Sequence, residues 1–137
     1  MIVADTSGLL AALRSDEPRH EVVARLIADE RDVFVVSPFV IAELDDLLAT
    51  WNGVSAELIA LRELAGGAYE LAQMSADDLT TCADIIERYP DQEIGVTDAS
   101  LVVLARRYET RRILTLDRRH FEVLRPLNGG RFQVVPG

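Results

Sequence analysis

Residues 1–10 read MIVADTSGLL, an apolar stretch that stops at a carboxylate. The first four residues have the length and composition of a short buried strand, whereas Asp5 is followed by two hydroxyl residues, Thr6 and Ser7. Aspartate is a favoured N-cap residue, so Asp5 could simply begin the helix that the following leucines predict. Whether it does more depends on whether other carboxylates reach the same place.

Short strands alternate with helices along the rest of the chain. Runs of β-branched and aromatic residues predict strands at 1–4, 33–36, 68–74, 112–116 and 131–135. Apolar residues at helical spacing predict helices at 7–14, 20–30, 39–51, 55–65, 76–89 and 96–108. This alternation predicts one α/β domain over residues 1–137, a three-layer α/β/α sandwich with a mainly parallel sheet of four or five strands. We expect the last strand at a sheet edge.

The composition is that of a folded globular protein. Hydrophobic residues make up 49% of the chain and charged residues 27%. No apolar run approaches the ~20 residues of a membrane helix, and the start of the chain lacks the pattern of a signal peptide. Cys82 is the single cysteine, so one chain can form neither a disulfide nor a cysteine-based zinc site. We therefore expect a cytoplasmic protein without a membrane partner.

Charge is distributed unevenly along the chain. The net charge is −9, and all 14 basic residues are arginines. Residues 1–98 carry 20 acids and 6 arginines, whereas residues 99–137 carry 3 acids and 8 arginines. The overall acidity argues against a nucleic-acid partner, but an arginine-rich segment can bind phosphates bidentately. Any single arginine is more often ordinary surface charge.

Four carboxylates are candidates for a common site. Ligands of open α/β sheets bind beyond the carboxyl ends of the strands, and Asp5 and Asp117 each follow a predicted strand. Glu43 and Asp98 border the apolar faces of two predicted helices, where an isolated charge is costly to desolvate. The face beside Glu43 comprises Val40, Leu44, Leu47, Leu48 and Trp51. Clustered carboxylates repel one another unless a cation neutralises them, and oxygen ligands suit Mg²⁺ or Mn²⁺.

Each acid also has an ordinary structural explanation. Asp5 and Asp98 can be acids at helix starts, which the helix dipole favours. Glu43 can pair with an arginine, and Asp117 can open a turn. The functional interpretation rests on the set, because the chain has no lysine to pair with these acids and several are expected at one rim of the sheet.

In order and spacing, these motifs resemble the PIN-domain ribonucleases, and particularly the VapC-type toxins of bacterial toxin–antitoxin pairs. The matching motifs are DTS (5–7), VIAEL (40–44), TDAS (97–100) and LTLD (114–117). The resemblance implies a PIN-like fold and an Mg²⁺- or Mn²⁺-dependent endoribonuclease that hydrolyses transfer or ribosomal RNA and inhibits translation and growth. It also implies a homodimer and a partner antitoxin of the VapB type.

The resemblance assigns roles to individual residues. The acids that it makes catalytic and metal-binding are Asp5, Glu43, Asp98 and Asp117. The hydroxyls that it makes carboxylate-orienting are Ser7, or as second choice Thr6, and Thr115. It assigns no role to the neighbouring acids Asp91 and Glu93.

The arginines around the fourth predicted strand differ in expected position. Arg118 and Arg119 directly follow the last of the four acids, so we expect them at the active rim, in contact with RNA. We expect His120 to contact solvent or RNA there rather than to act as a base. Arg111 and Arg112 precede the strand and are expected at its opposite end, with a structural role.

Three alternatives to a nuclease differ from it in the residues that they require. A haloacid-dehalogenase-like phosphatase or a receiver domain also places an aspartate after its first strand, but both use a lysine that this chain lacks. The phosphatase further requires D-x-D where this chain has DTS. A non-catalytic RNA- or protein-binding module on the same fold remains the alternative, which the presence of all four acids disfavours.

The helices of residues 38–66 carry more apolar side chains than are needed to cover a small sheet. Those in the second half include Val54, Leu58, Leu61 and Leu64. We expect these helices to form a groove for the C-terminal segment of the antitoxin, in the helix-in-groove manner. Filling of the core would explain the same residues equally well.

Overall fold

The first segment of the chain forms the centre of the sheet. The computed structural model, which describes residues 1–137, has five strands: β1 (Ile2–Ala4), β2 (Phe34–Val36), β3 (Tyr69–Leu71), β4 (Arg112–Leu114) and β5 (Gln133–Val135). Their order across the sheet is β3-β2-β1-β4-β5, and every neighbouring pair is parallel. All residues of β1 and β2 are buried, as expected of parallel strands covered on both faces. The predicted parallel sheet, with the last strand at an edge, is confirmed.

Six helices cover this sheet. They are α1 (Thr6–Leu13), α2 (His20–Asp29), α3 (Pro38–Ala65), α4 (Ala76–Arg88), α5 (Val96–Arg107) and α6 (Arg119–Val123). The helix α1 packs against α2 and α3, and α4 packs against α5. One cluster of buried apolar side chains joins the helices to the sheet, which gives the predicted three-layer α/β/α arrangement. None of the helices has both the length and the apolar character needed to cross a membrane.

The long helix α3 is interrupted at Gly53. Its φ of 85° and ψ of 175° are not helical, and glycine adopts such a positive φ without a steric cost. The interruption therefore falls between the helices predicted at 39–51 and 55–65. The helix begins at Pro38, one residue before the predicted start, and the hydroxyl of Ser37 caps it by accepting a hydrogen bond from the backbone N–H of Phe39, 3.2 Å away.

The predicted apolar face of α3 is wrong at Trp51. Val40, Leu44 and Leu48 are buried, but Trp51 is 56% exposed. The interruption follows two residues later, so the helix has no further turn to hold this ring against the core. The guanidinium of Arg14 lies over the indole instead, 5.2 Å from the ring centroid, in a cation–π contact.

The region after β4 differs most from the sequence-based prediction. The strand ends at Leu114, so Asp117 follows it by three residues rather than directly. The backbone N–H of Thr115 still donates to the carbonyl of Val135 at 3.1 Å, which continues the ladder by one residue. The short helix α6 was not predicted, and its Phe121 is buried in edge-to-face contact with Phe132 at a centroid distance of 5.8 Å.

Gly8 allows α1 to pack directly against β4. A Cβ at this position would lie 2.6 Å from Cγ of Leu114 and 3.0 Å from its carbonyl oxygen. A glycine inside a helix normally costs about 0.5–1 kcal/mol relative to alanine. The close approach of the helix to the strand explains why glycine occupies this position, and it brings Asp5 and the end of β4 together.

We predict that Gly8→Ala lowers the free energy of unfolding by about 1–3 kcal/mol, because the added methyl group overpacks the contact with Leu114. Urea denaturation measures this change. Gly95→Ala is the matched control, since a Cβ there would meet no atom within 4 Å, and its effect should stay below about 1 kcal/mol. Equal stabilities of Gly8→Ala and the unmodified chain would contradict the proposed close packing.

Candidate active site

One cleft is lined by all four predicted acids. It has a volume of about 570 Å³, and only three of its 13 lining residues are hydrophobic. Its carboxylates are Asp5, Glu43, Glu93, Asp98 and Asp117. The cleft lies beyond the carboxyl ends of β1 and β4, where parallel strands of an open sheet place their ligands.

Asp5 is the most deeply placed of these acids, with 9% of its surface exposed. Its Oδ1 accepts a hydrogen bond from the backbone N–H of Thr6 at 2.8 Å, so it does cap α1. Its Oδ2 accepts from Oγ1 of Thr115, also at 2.8 Å. Burial raises the pKa of Asp5 from the usual 3.8 to about 6; the hydrogen bonds oppose this rise, and the carboxylates of Asp98 and Glu43 add to it.

The predicted orienting hydroxyls have different partners. Thr115 contacts Asp5 directly, and its Oγ1 also accepts from the backbone N–H of Asp117 at 3.0 Å. Ser7 contacts none of the four acids; its Oγ lies 3.1 Å from Oγ1 of Thr115 and accepts from the backbone N–H of Leu116 at 2.9 Å. The serine therefore supports the threonine, which in turn holds the carboxylate.

Glu43 is held by two hydroxyls from two different helices. Thr6 donates to its Oε1 at 2.9 Å, and Thr97 donates to its Oε2 at 2.6 Å. The residue is exposed in the cleft, so the expectation that Glu43 is desolvated at the edge of the core is wrong. Thr97 was not among the predicted residues, although its position before Asp98 in the TDAS motif was the signal available for it.

Asp98 lies in the first turn of α5, as the helix-start explanation required. Burial raises its pKa; the neighbouring His120 opposes this rise, and the carboxylates of Glu43 and Asp117 add to it. Nδ1 of His120 lies 2.7 Å from Oδ2 of Asp98. His120 therefore contacts a carboxylate of the protein itself. The prediction named only solvent or RNA as its partner.

Asp117 is bound by an arginine two residues further along the chain. Nε and Nη2 of Arg119 donate to its two carboxylate oxygens at 3.0 and 2.9 Å, and this contact lowers the pKa of Asp117. The Arg119 side chain is 84% exposed. Arg118 lies 3.9 Å from Glu122. Neither arginine lines the cleft, although Arg119 binds a carboxylate that does.

The other two arginines lie at the start of β4, at the opposite end of the strand. Arg112 forms ion pairs with Glu30 at 2.9 Å and with Asp32 at 3.3 Å. Arg111 donates from Nε to the carbonyl of Gly129 at 2.9 Å. These contacts tie β4 to the loop before β2 and to the turn before β5, which is a structural role.

Glu93 is an additional acid of the cleft. Its φ of 53° lies in the left-handed region, which glutamate rarely adopts. Asp91, two residues earlier, does not line the cleft. Of the two acids to which the sequence assigned no role, only Glu93 therefore adds negative charge to the candidate site.

The cleft has the donors for a hard divalent cation, but they are not gathered around one point. No group of three or more His, Cys, Asp or Glu side chains lies close enough to hold a metal ion. Asp117 and Asp98 are instead bound to Arg119 and His120. The raised pKa values of Asp5 and Asp98 reflect burial among like charges, which a cation would relieve. The residues therefore fit a divalent cation through carboxylate oxygens, two of which have other partners.

Comparison with known proteins identifies the family. The sequence model described as the PIN domain matches residues 2–125. The chain belongs to the PIN-domain family. It is 56% identical over 135 residues to ribonuclease VapC26 of Mycobacterium tuberculosis, an alignment that covers 98% of this chain and 100% of the relative. The predicted membership of the VapC-type group of PIN-domain ribonucleases is confirmed.

Solved structures share the PIN fold of this chain. VapC20 of Mycobacterium tuberculosis, described as a sarcin-ricin loop cleaving toxin, matches with a TM-score of 0.80 at 22% identity, over 86% of this chain and 91% of that chain. VapBC2 from Rickettsia felis, bound to a DNA fragment from its promoter, matches with a TM-score of 0.67 at 15% identity, over 98% and 97%. At these identities the likeness concerns the fold alone.

We predict that Asp5→Asn stabilises the chain at alkaline pH when metal is withheld. Because the folded-state pKa of about 6 exceeds the usual 3.8, ionised Asp5 lowers the free energy of unfolding above pH 6, and this penalty disappears as the pH falls toward 4. The substitution should therefore raise the free energy of unfolding by about 1–3 kcal/mol at pH 8 and by almost nothing near pH 4.

Urea denaturation in EDTA at both pH values measures this difference. Asp46→Asn removes an exposed carboxylate from α3 and should show no such pH dependence. An effect of Asp5→Asn that is equal at pH 8 and pH 4 would show that desolvation of the carboxylate is not its cause.

Proposed function

We propose that this VapC-type ribonuclease is a metal-dependent endoribonuclease that hydrolyses phosphodiester bonds of transfer or ribosomal RNA in the cytoplasm. As the toxin of a toxin–antitoxin pair, it would thereby inhibit translation and growth. The observation that carries the proposal is the single cleft lined by Asp5, Glu43, Asp98 and Asp117 at the carboxyl ends of β1 and β4. The 56% identity to a VapC ribonuclease over the whole relative supports the activity.

We assign the catalytic and metal-binding roles to these four acids, with Mg²⁺ or Mn²⁺ as the cofactor. A bound divalent cation lowers the pKa of a bound water and polarises the phosphoryl group. Asp5 and Asp98 are the least exposed of the four and have raised pKa values, so they gain most from a positive charge. We therefore place them at the centre of the ligand set, with Glu43 and Asp117 completing it.

The hydroxyl groups limit the freedom of these carboxylates before any ligand arrives. Thr115 and the backbone N–H of Thr6 each hold one oxygen of Asp5. Glu43 is held at both oxygens, by Thr6 and by Thr97. Groups that are already oriented lose less conformational entropy when a cation or substrate binds. We therefore propose Thr6, Thr97 and Thr115 as orienting residues, with Ser7 supporting Thr115.

We propose that Arg118, Arg119 and His120 contact the RNA. Five carboxylates in one cleft repel a polyanion, and cations at the rim reduce that repulsion. Arg119 is 84% exposed although it binds Asp117, so an RNA phosphate can compete for the same guanidinium. A cation that takes over Asp117 would release this arginine for the phosphate.

We predict that Asp98→Asn reduces RNA cleavage to below about 1% of the original rate, because it removes a central ligand charge. Gel analysis of ribosomal and transfer RNA after incubation with Mg²⁺ measures the rate. EDTA should abolish cleavage by the unmodified chain, and added Mg²⁺ should restore it.

The exposed acid Asp46 provides the control, since Asp46→Asn should cleave normally. Cleavage by Asp98→Asn at the original rate would overturn the site assignment. Cleavage that persists in EDTA would contradict metal dependence, whereas a pure unmodified chain that binds RNA but never cleaves it would favour the non-catalytic module.

We also propose that the second half of α3 binds a VapB-like antitoxin. Val54, Leu58 and Ile59 expose 65%, 41% and 67% of their surfaces, which is unusual for so many neighbouring apolar side chains. Leu64 is only 3% exposed and belongs to the core, so its inclusion in the predicted groove is wrong. Leu61 is 37% exposed and remains in it.

The first half of α3 carries an exposed aromatic side chain close to the active-site cleft. Glu43 and Leu47 line the cleft, and the exposed Trp51 lies one helical turn beyond Leu47 on the same side of the helix. A segment bound along both halves of α3 would pass Trp51 and could reach the acids and cover them. The complexes among the structural neighbours support an antitoxin partner. A homodimer, implied by the family resemblance, remains part of the proposal.

We predict that Leu58→Asp weakens binding of the proposed VapB-like antitoxin by at least about tenfold, because it places a charge within an apolar contact. Calorimetric titration of the two purified proteins measures the affinity. Leu79→Asp is the matched control, since Leu79 is 46% exposed but lies on α4. A folded Leu58→Asp variant with full affinity would exclude this surface.

A further inference from the structure

The two ring nitrogens of His120 have different surroundings. Nδ1 lies 2.7 Å from Oδ2 of Asp98. Nε2 has no hydrogen bond to the protein. Every buried side-chain nitrogen or oxygen atom does have a hydrogen-bond partner, so Nε2 is not buried and is open to solvent. The ring lines the cleft, and 28% of the side chain is exposed. One nitrogen is therefore committed to an acid of the site, and the other is available to a ligand.

The position of this ring is determined by the core. The next residue, Phe121, is 3% exposed and packs edge-to-face against Phe132. Leu124, directly after α6, is fully buried. These anchors fix the short helix in place, and His120 reaches from it to Asp98 in the first turn of α5. The neighbouring Arg119, at 84% exposure, has no comparable packing.

We propose that His120 is a positioning residue for Asp98 that also contacts the RNA backbone. Its Nδ1–H holds Oδ2 of Asp98 and leaves Oδ1 for the cation, while Nε2 bonds an oxygen of the sugar–phosphate backbone. An Nε2 that carries a hydrogen donates to a phosphate oxygen, and one without it accepts from a ribose 2′-hydroxyl. This inference rests on the proposed metal-dependent RNA cleavage and adds a link between the metal ligand and the substrate.

Two substitutions separate the two nitrogens. In His120→Asn the side-chain amide reaches about the position of Nδ1, whereas in His120→Gln it reaches about the position of Nε2. We expect His120→Asn to keep near-original affinity for Mn²⁺. We expect His120→Gln to bind Mn²⁺ at least about 10-fold more weakly, since loss of a partner that orients a metal ligand has this effect. Calorimetric titration with Mn²⁺ alone measures these affinities.

RNA binding should show the opposite order. With a labelled single-stranded RNA in EDTA, which prevents cleavage, we expect His120→Gln to bind normally and His120→Asn to lose about 3- to 10-fold, the value of one hydrogen bond. The same binding measurement with DNA of the same sequence shows whether His120 contacts a phosphate oxygen or the 2′-hydroxyl. A defect of His120→Asn that persists with DNA assigns the contact to phosphate, and a defect confined to RNA assigns it to the 2′-hydroxyl.

The controls separate this inference from the function on which it rests. Asp46→Asn changes an exposed residue of α3 that has no proposed role and should alter neither affinity. If Asp98→Asn binds Mn²⁺ as well as the unmodified chain, the proposed metal site itself fails. A second outcome is that Asp98→Asn no longer binds Mn²⁺, while His120→Asn and His120→Gln have equal Mn²⁺ affinities and equal RNA affinities. That outcome would support the metal site but overturn the separate roles of the two nitrogens of His120.

Discussion

The hydrogen bond from Oγ1 of Thr115 to Oδ2 of Asp5 joins the ends of β1 and β4, and the candidate site depends on it. It exists because these two strands are parallel neighbours at the centre of the sheet, and because Gly8 lets α1 approach β4 without a side chain between them. Asp5 is thereby held at 9% exposure, where burial raises its pKa to about 6. A buried carboxylate fixed beside other carboxylates costs stability, and a divalent cation in the same cleft offsets that cost.

Side chains of the protein itself contact the other carboxylates of the cleft. Hydroxyl donors satisfy Glu43, while Arg119 and His120 bind Asp117 and Asp98. The acids are therefore partnered individually rather than drawn to one point, which is consistent with the absence of a closed group of metal ligands. An exposed ion pair such as that of Arg119 contributes little to stability and is readily exchanged, whereas the packed His120 is expected to keep its partner.

Much of the fold could be predicted because long elements carry strong periodic signals, and parallel strands bring their carboxyl ends together. Asp5 and Asp117 were expected at one rim for that reason. The prediction that Trp51 belongs to the apolar face of α3 was wrong. A helical wheel assumes that the helix continues unbroken after Trp51, whereas Gly53 interrupts it. The five-residue α6 is too short for periodicity to detect, so the contact of His120 with Asp98 was not foreseen. In the sequence, Thr97 looks like an ordinary residue at a helix start. Its role was not predicted because its partner Glu43 lies 54 positions earlier in the chain.

The central claim is that these carboxylates bind one or two divalent cations between them. Anomalous diffraction at the manganese absorption edge, from crystals grown with millimolar Mn²⁺, tests it most directly. The account predicts a strong peak in the cleft within ligand distance of Asp5 and Asp98, with Asp117 turned away from Arg119 toward the ion. A cleft without a peak, or a peak bound only by carboxylates elsewhere on the surface, would contradict it.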